Sequence, residues 1–326
     1  MEYMPNFKLH RPANVADAVK LKTEPGALYV AGGTDMVVNV RRGIEQPKHL
    51  IDLSAVGELK AKREENGTLV LGSGLTLHEI GHDETIRARY PAVAEAARAV
   101  AGPTHQQYGT LGGNICLDTR CLFYNQSEWW RKSNNYCLKE RGDTCHVASG
   151  GKRCFAAFSG DVAPALMVYG AQVELAGPEG TRRIPLDKLY RNDGLAHLAL
   201  QPGELLIAVH LPATHAGDPS AYEKARVRGS IDFPLAGAAV RVKLAGDGTV
   251  ADLSIALTAV NPYPQRVTGT DAFKGKRLGE AELDAIREMV RKQAKPMKTT
   301  TVAPWYRRRV VGALARRLTA RLAGVA

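Results

Sequence analysis

An α+β fold is what this sequence predicts: two lobes in succession, then a smaller domain built on an antiparallel sheet. Three observations point to it. The first fifty residues alternate strand-like and helix-like segments in a β-α-β rhythm, with two glycines at the first crossover. From Leu59 the pattern shortens to alternating strands with turn signals between them. Beyond the Pro-, Gly- and Ser-rich segment PATHAGDPS, three strand-like runs follow one another before any helix, which suits an antiparallel sheet. The expected divisions are 1–57, 58–216 and 217–326.

Taken in order, VADAVKLK reads as a helix, ALYVAG as a strand, DMVVNVRRG as a helix and HLIDL as a strand. In LKAKREENGTLVLGSGLTL, Asn66-Gly67 is placed to turn a hairpin between short strands. The alanine-rich YPAVAEAARAVA carries an apolar stripe and is stopped by Gly102-Pro103. SGDVAPALMVYGAQVELAG predicts a helix capped near Asp161 and then a strand, while RRIPLDKLY and GELLIAVHLP continue the same lobe. AYEKARVR, LAGAAVRVKLA and VADLSIALTAV supply the last sheet, with helices after Asp271.

With 326 residues, 44% of them hydrophobic, the chain can bury a sizeable core. No apolar run approaches the roughly 20 residues that span a bilayer, so no membrane segment is expected. The start MEYMPNFKLHRP has no basic or apolar signal region, and a cytoplasmic location is expected. A formal net charge of +11 raises the question of nucleic acid, but no basic patch interleaved with aromatics is evident, so none is expected. Much of the basic excess sits in RKQAKPMK and WYRRRVVGALARRLTARL, where Val310, Leu314, Leu318 and Leu322 recur at helical spacing. The plain reading is a solvated helix face; the sharper one is a docking surface for an acidic protein.

Four of the five cysteines fall in one polar stretch, Cys121-x15-Cys137-x7-Cys145-x8-Cys154. Asn, Ser, Gly, Lys and Arg break every apolar period there, so the loop is expected to have no core of its own and to be held by something else. Four soft thiolates suit an iron-sulfur cluster or zinc. Two disulfides also fit, but they require an oxidising compartment. Cys116 reads as a small packed residue, and Trp129 and Trp130 as anchors of the loop.

Two glycine-rich turns carry further chemistry. Tyr29-Val30-Ala31-Gly32-Gly33-Thr34-Asp35-Met36 leaves a strand for a helix and can present backbone N–H groups to a phosphate. An ordinary tight turn with Asp35 capping the helix would look the same. A second segment, with Thr110, Gly112, Gly113 and Asn114, offers similar groups. Together they fit a dinucleotide whose pyrophosphate lies between two lobes, with Asp161 placed to accept from a ribose hydroxyl.

At YVAGGTDMVV, GTLGGNI, SGDVAPAL and YEKARVRGSIDFPLAG the chain resembles the FAD-binding medium subunits of the xanthine dehydrogenase and molybdenum hydroxylase family. The resemblance implies a two-lobed FAD-binding domain of the PCMH or vanillyl-alcohol-oxidase type and a smaller C-terminal domain capping it. It implies that Tyr29 to Met36 enclose the FAD pyrophosphate and that Thr110, Gly112, Gly113 and Asn114 take its other side. Asp161 then meets the adenosine portion, and Lys224 lies toward the isoalloxazine.

The cysteine loop, 117–156, is an insertion relative to common members, and it is similar to that of the 4-hydroxybenzoyl-CoA reductase beta subunit. That likeness implies a 4Fe-4S cluster on Cys121, Cys137, Cys145 and Cys154. It also implies a ferredoxin-like donor, a 2Fe-2S small subunit, a molybdopterin-binding large subunit, a dimer of heterotrimers and reductive removal of a phenolic hydroxyl from 4-hydroxybenzoyl-CoA. Two alternatives stay open. One is the same cofactors in a molybdenum hydroxylase or aldehyde oxidoreductase with electrons flowing outward; the other is a zinc-stabilised binding protein. Arg131, Lys132, Lys139, Arg141, Lys152 and Arg153 make the loop basic and suggest docking of an acidic ferredoxin there.

Overall fold

The structure is a computed structural model that describes residues 4–325. Its first sheet has three parallel strands in the order Lys8–His10, His49–Asp52, Ala27–Val30. Parallel neighbours need a crossover, and the helices Val15–Lys22 and Met36–Arg41 provide it. Asn14 caps the first of these by accepting from the Asp17 amide.

A five-stranded antiparallel sheet follows, in the order Lys62–Glu65, Thr68–Gly72, Leu205–Leu211, Gln172–Gly177, Gly180–Pro185. Asn66 and Gly67 both take positive φ, 49° and 77°, as the two-residue hairpin between the first two strands demands. Behind this sheet lies the largest core, where Leu71, Ile86, Tyr90, Leu111, Phe158 and Tyr169 are out of solvent. The helix Pro91–Ala99 is there as the sequence predicts, but two short helices precede it, Leu77–His82 and Glu84–Arg89. That helix already stops at Ala99, and Gly102-Pro103 instead opens the next one, Pro103–Tyr108, because proline is well placed in a first turn where no N–H partner is needed.

The last sheet is antiparallel in the order Gln265–Arg266, Val250–Thr258, Ala236–Leu244, Ser220–Ala225. Helices Glu280–Gln293 and Pro304–Ala323 cover it. Val311, Leu314, Ala315 and Leu318 are buried against that sheet, each leucine contributing roughly 1.5–3 kcal/mol. The basic stripe of this helix therefore flanks a core face. Arg307 is fully buried and donates to the carbonyls of Leu235 and Met297, while Arg316 pairs with Glu280 and Asp284 and Arg317 with Glu223. Among the described residues no helix is long and apolar enough to cross a membrane.

Candidate functional site

Two places in this fold gather chemistry: a junction of glycine-rich turns and a cavity of thiols. At the junction, Gly32 lies so close to the second segment that a Cβ there would stand 1.8 Å from the Tyr108 carbonyl oxygen. Glycine is required for the two segments to meet. Gly33 takes a positive φ of 70°, turning the chain into the helix Met36–Arg41. The N–H groups of Gly32 and Thr34 find no acceptor among the described residues. Free amides of this kind in a tight turn suit a phosphate.

The second segment differs from the sequence expectation. Its amides are already engaged: Gly112 donates to the Ser73 carbonyl at 2.7 Å, Gly113 to the Thr110 hydroxyl at 3.1 Å and Asn114 to the Thr110 carbonyl at 2.9 Å. Its glycines serve close packing, since a Cβ on Gly112 would lie 2.8 Å from that of Ser73. Asn114 accepts from the Val162 amide at 3.0 Å and so ties this turn to the helix Val162–Met167. Tyr29 also departs from expectation: its side chain packs in the first-lobe core, and its hydroxyl donates to the Gly203 carbonyl at 3.3 Å. Val30 is buried, so the strand end offers main chain only.

Asp35 does not cap its helix. Its carboxylate pairs with Arg120 and accepts from the Asn39 amide at 3.1 Å. Burial lowers the Arg120 pKa to about 10, which leaves it a cation at neutral pH. Its guanidinium stacks 4.6 Å from the ring centre of Phe233, in the C-terminal domain. Its Nε is out of solvent and without a hydrogen-bond partner among the described residues. An orphaned buried donor beside free turn amides fits an anionic dinucleotide.

Asp161 is buried at the domain boundary, where it accepts from the Tyr222 hydroxyl at 2.6 Å and from the Lys224 ammonium at 3.1 Å. Burial raises its pKa, against the pull of Lys224 and the Tyr222 hydroxyl. Asp161 and Lys224, expected to meet different parts of the dinucleotide, form one ion pair in the structure.

The thiol cavity is built by the loop 117–156. Cys121, Cys137, Cys145 and Cys154 are all buried and line one cavity with Phe123, Tyr124, Lys139 and other loop residues. All five cysteines are free thiols. Contrary to the expectation of a loop without a core, Ile44, Tyr124 and Ala156 join three of the cysteines in a small apolar cluster. A short helix, Glu128–Ser133, capped by Ser127, projects Arg131 inward. Arg131 is 1% exposed and donates to the Gly43 carbonyl at 3.0 Å and to Glu128 at 2.7 Å. Lys139 donates to Asp118 at 2.5 Å and to the Gly194 carbonyl at 2.9 Å.

Burial pushes the Cys121 thiol up to about 11 and the Cys154 thiol to about 12, so thiolates here need a positive centre to balance them. Among the described residues, no three His, Cys, Asp or Glu side chains meet closely enough to chelate a single ion. Cys116 lies outside the cavity, packed against the main core, its thiol raised to about 12 by burial. His146 is exposed, with its Nε2 2.5 Å from the Tyr136 carbonyl oxygen.

Three of the loop's six basic residues are spent in internal ion pairs. Arg131 and Lys139 are buried, and Arg141 pairs with Glu128 and Glu140. Of the tryptophans, expected to anchor the loop against its own domain or a partner subunit, Trp130 is half-buried near Phe123, whereas Trp129 is 76% exposed.

Comparison with known proteins agrees with this layout. The family described as the FAD binding domain in molybdopterin dehydrogenase matches residues 5–214, and the CO dehydrogenase flavoprotein C-terminal domain matches residues 220–322. The carbon monoxide dehydrogenase medium chain of Afipia carboxidovorans is 30% identical over 97% of this chain and 96% of its own length. The aldehyde oxidoreductase FAD-binding subunit PaoB of Escherichia coli is 31% identical over 81% of this chain and 84% of its own. Among solved structures, the carbon monoxide dehydrogenase of Hydrogenophaga pseudoflava superposes with a TM-score of 0.81 at 27% identity, covering 99% of this chain and 100% of that one. The chain therefore belongs to the FAD-binding medium subunits of the molybdenum hydroxylase family, of carbon monoxide dehydrogenase and xanthine dehydrogenase type, and is an oxidoreductase subunit.

Proposed function

We propose that this chain is the electron-transfer flavin subunit of a heteromeric molybdenum hydroxylase or aldehyde oxidoreductase, with FAD against the Gly32–Met36 turn and a 4Fe-4S cluster in the thiol cavity. Its partners in this reading are a molybdopterin-binding large subunit and a 2Fe-2S small subunit, and electrons flow outward to an acceptor. The observation that carries it is the burial of Cys121, Cys137, Cys145 and Cys154 around one cavity in a chain of an FAD-binding family. Four cysteine thiols lining one cavity supply the ligand set that a 4Fe-4S cluster takes. A cluster handles one electron at a time and a flavin one or two, so the pair would give the subunit a one-electron port. The outward direction is favoured by the oxidative enzymes named among the relatives.

Anaerobic iron, sulfide, zinc and flavin analysis of the chain, co-expressed with its partner subunits, tests this reading. About four irons and one FAD per chain are expected, with the EPR signal of the reduced cluster lost in Cys137→Ser. FAD without iron, or zinc in place of iron, would remove the cluster.

A second reading is kept by the cysteine insertion and its likeness to the 4-hydroxybenzoyl-CoA reductase beta subunit. In it a ferredoxin-like donor feeds the cluster and electrons run inward to dehydroxylate 4-hydroxybenzoyl-CoA. Of the six basic residues once expected to attract a ferredoxin, three are committed to internal ion pairs, which weakens that docking. Assay of the complex with a reduced low-potential donor and 4-hydroxybenzoyl-CoA decides between the two: absence of dehydroxylation excludes the second.

A further inference from the structure

The two candidate sites share one element. The helix Met36–Arg41 begins at the free-amide turn and ends beside the thiol cavity, and the cysteine loop grips both of its ends. At the first end, the Arg120 side chain pairs with Asp35, while its main chain exchanges hydrogen bonds of 2.7 and 2.8 Å with Ala157. Arg120 is also the residue immediately before Cys121. At the far end, Arg131 donates to the carbonyl of Gly43 at 3.0 Å. One residue on, Ile44 packs with Cys121, Cys137 and Cys154, three of the thiols that line the cavity, in one apolar cluster.

None of these contacts is free to adjust independently. Arg120 and Arg131 have side chains only 13% and 1% exposed, and a buried guanidinium that loses its carboxylate is left without water to replace it. A group seated among the thiols therefore bears, through Arg120, Arg131 and Ile44, on the same short helix that leaves the free-amide turn. We propose that the thiol cavity and the dinucleotide turn bind their groups cooperatively, with Arg120 as the positioning residue that transmits the occupancy of one to the other through Asp35 and the helix Met36–Arg41. Linkage makes the effect reciprocal: a filled cavity tightens FAD binding, and bound FAD protects the cluster by the same factor. The proposal rests on the cluster reading above and adds a coupling between the sites.

The test measures the FAD dissociation constant of the full chain by flavin fluorescence, with the cluster reconstituted and after its removal by chelation. Iron and sulfide are counted on the same samples. In the unaltered chain the loaded form is expected to bind FAD about tenfold more tightly than the stripped form, within the usual range of such couplings. In Arg120→Met the ratio falls to within about twofold of one while the loaded chain keeps its iron, and Arg120→Lys recovers part of it. Asp35→Asn attacks the link from the other lobe and abolishes the ratio equally, which covers the case in which Arg120→Met fails to fold. A ratio of one in the iron-loaded unaltered chain overturns the coupling and leaves the cluster standing; so does a ratio that survives in both variants. A chain that takes up no iron overturns the cluster reading, and the coupling falls with it.

Discussion

The Lys224 ammonium donates to the Asp161 carboxylate at 3.1 Å, and both side chains are almost wholly buried. One belongs to the segment matched by the FAD-binding domain and the other to the segment matched by the C-terminal domain, so this ion pair closes the boundary between them. Replacing one member leaves a buried charge without its counterpart, which costs about 3–5 kcal/mol. Asp161→Asn is expected to lower the unfolding free energy by that order, read as a lower midpoint in denaturant, and to weaken retained FAD on gel filtration. A variant with unchanged midpoint and flavin would show that the pair does not hold the domains together.

Gly32→Ala places a methyl group where the Tyr108 carbonyl stands, so one of the two segments must move. Moving the turn displaces the amides of Gly32 and Thr34, and FAD affinity is expected to fall at least about tenfold, equivalent to 1.4 kcal/mol. Equilibrium dialysis against FAD reads this directly. Ser73→Gly, beside Gly112 in the other segment, removes the side chain that crowds that glycine without touching the first turn and is expected to change the affinity far less.

Iron content separates the fifth cysteine from the other four. Cys154→Ser removes a lining thiol of the cavity and is expected to abolish the bound cluster, whereas Cys116→Ser, in the main core, leaves iron per chain unchanged. Equal loss from both would make Cys116 part of the cluster environment.

Acid stability has an identifiable contributor in His197. Burial, aided by the charge of Lys139, lowers its pKa from 6.5 to about 4, and its Nε2 lies 2.9 Å from the Leu117 carbonyl oxygen at the base of the loop. The folded state therefore favours the neutral ring. Stability from this residue is full above pH 6.5 and declines as the pH falls toward 4, by up to about 3 kcal/mol. His197→Asn is expected to flatten the melting temperature between pH 6.5 and 4 relative to the unaltered chain. An equally steep fall in the variant would assign the acid sensitivity elsewhere.

Local pattern by itself determined the α+β order of elements, the Asn66-Gly67 hairpin, the two glycine-rich turns and the set of four clustered cysteines. These are properties that neighbouring residues dictate through turn chemistry and side-chain period. Only the tertiary structure decided which groups meet. It brought Asp161 to Lys224 across 63 positions of sequence, turned Asp35 from a helix cap into the partner of Arg120, and satisfied the amides of the second turn on Ser73 and Thr110. It also folded a polar loop around its own thiols by burying Arg131 against the carbonyl of Gly43. Burial and ion pairing are set by distances between residues far apart in the chain, and periodicity carries no record of them.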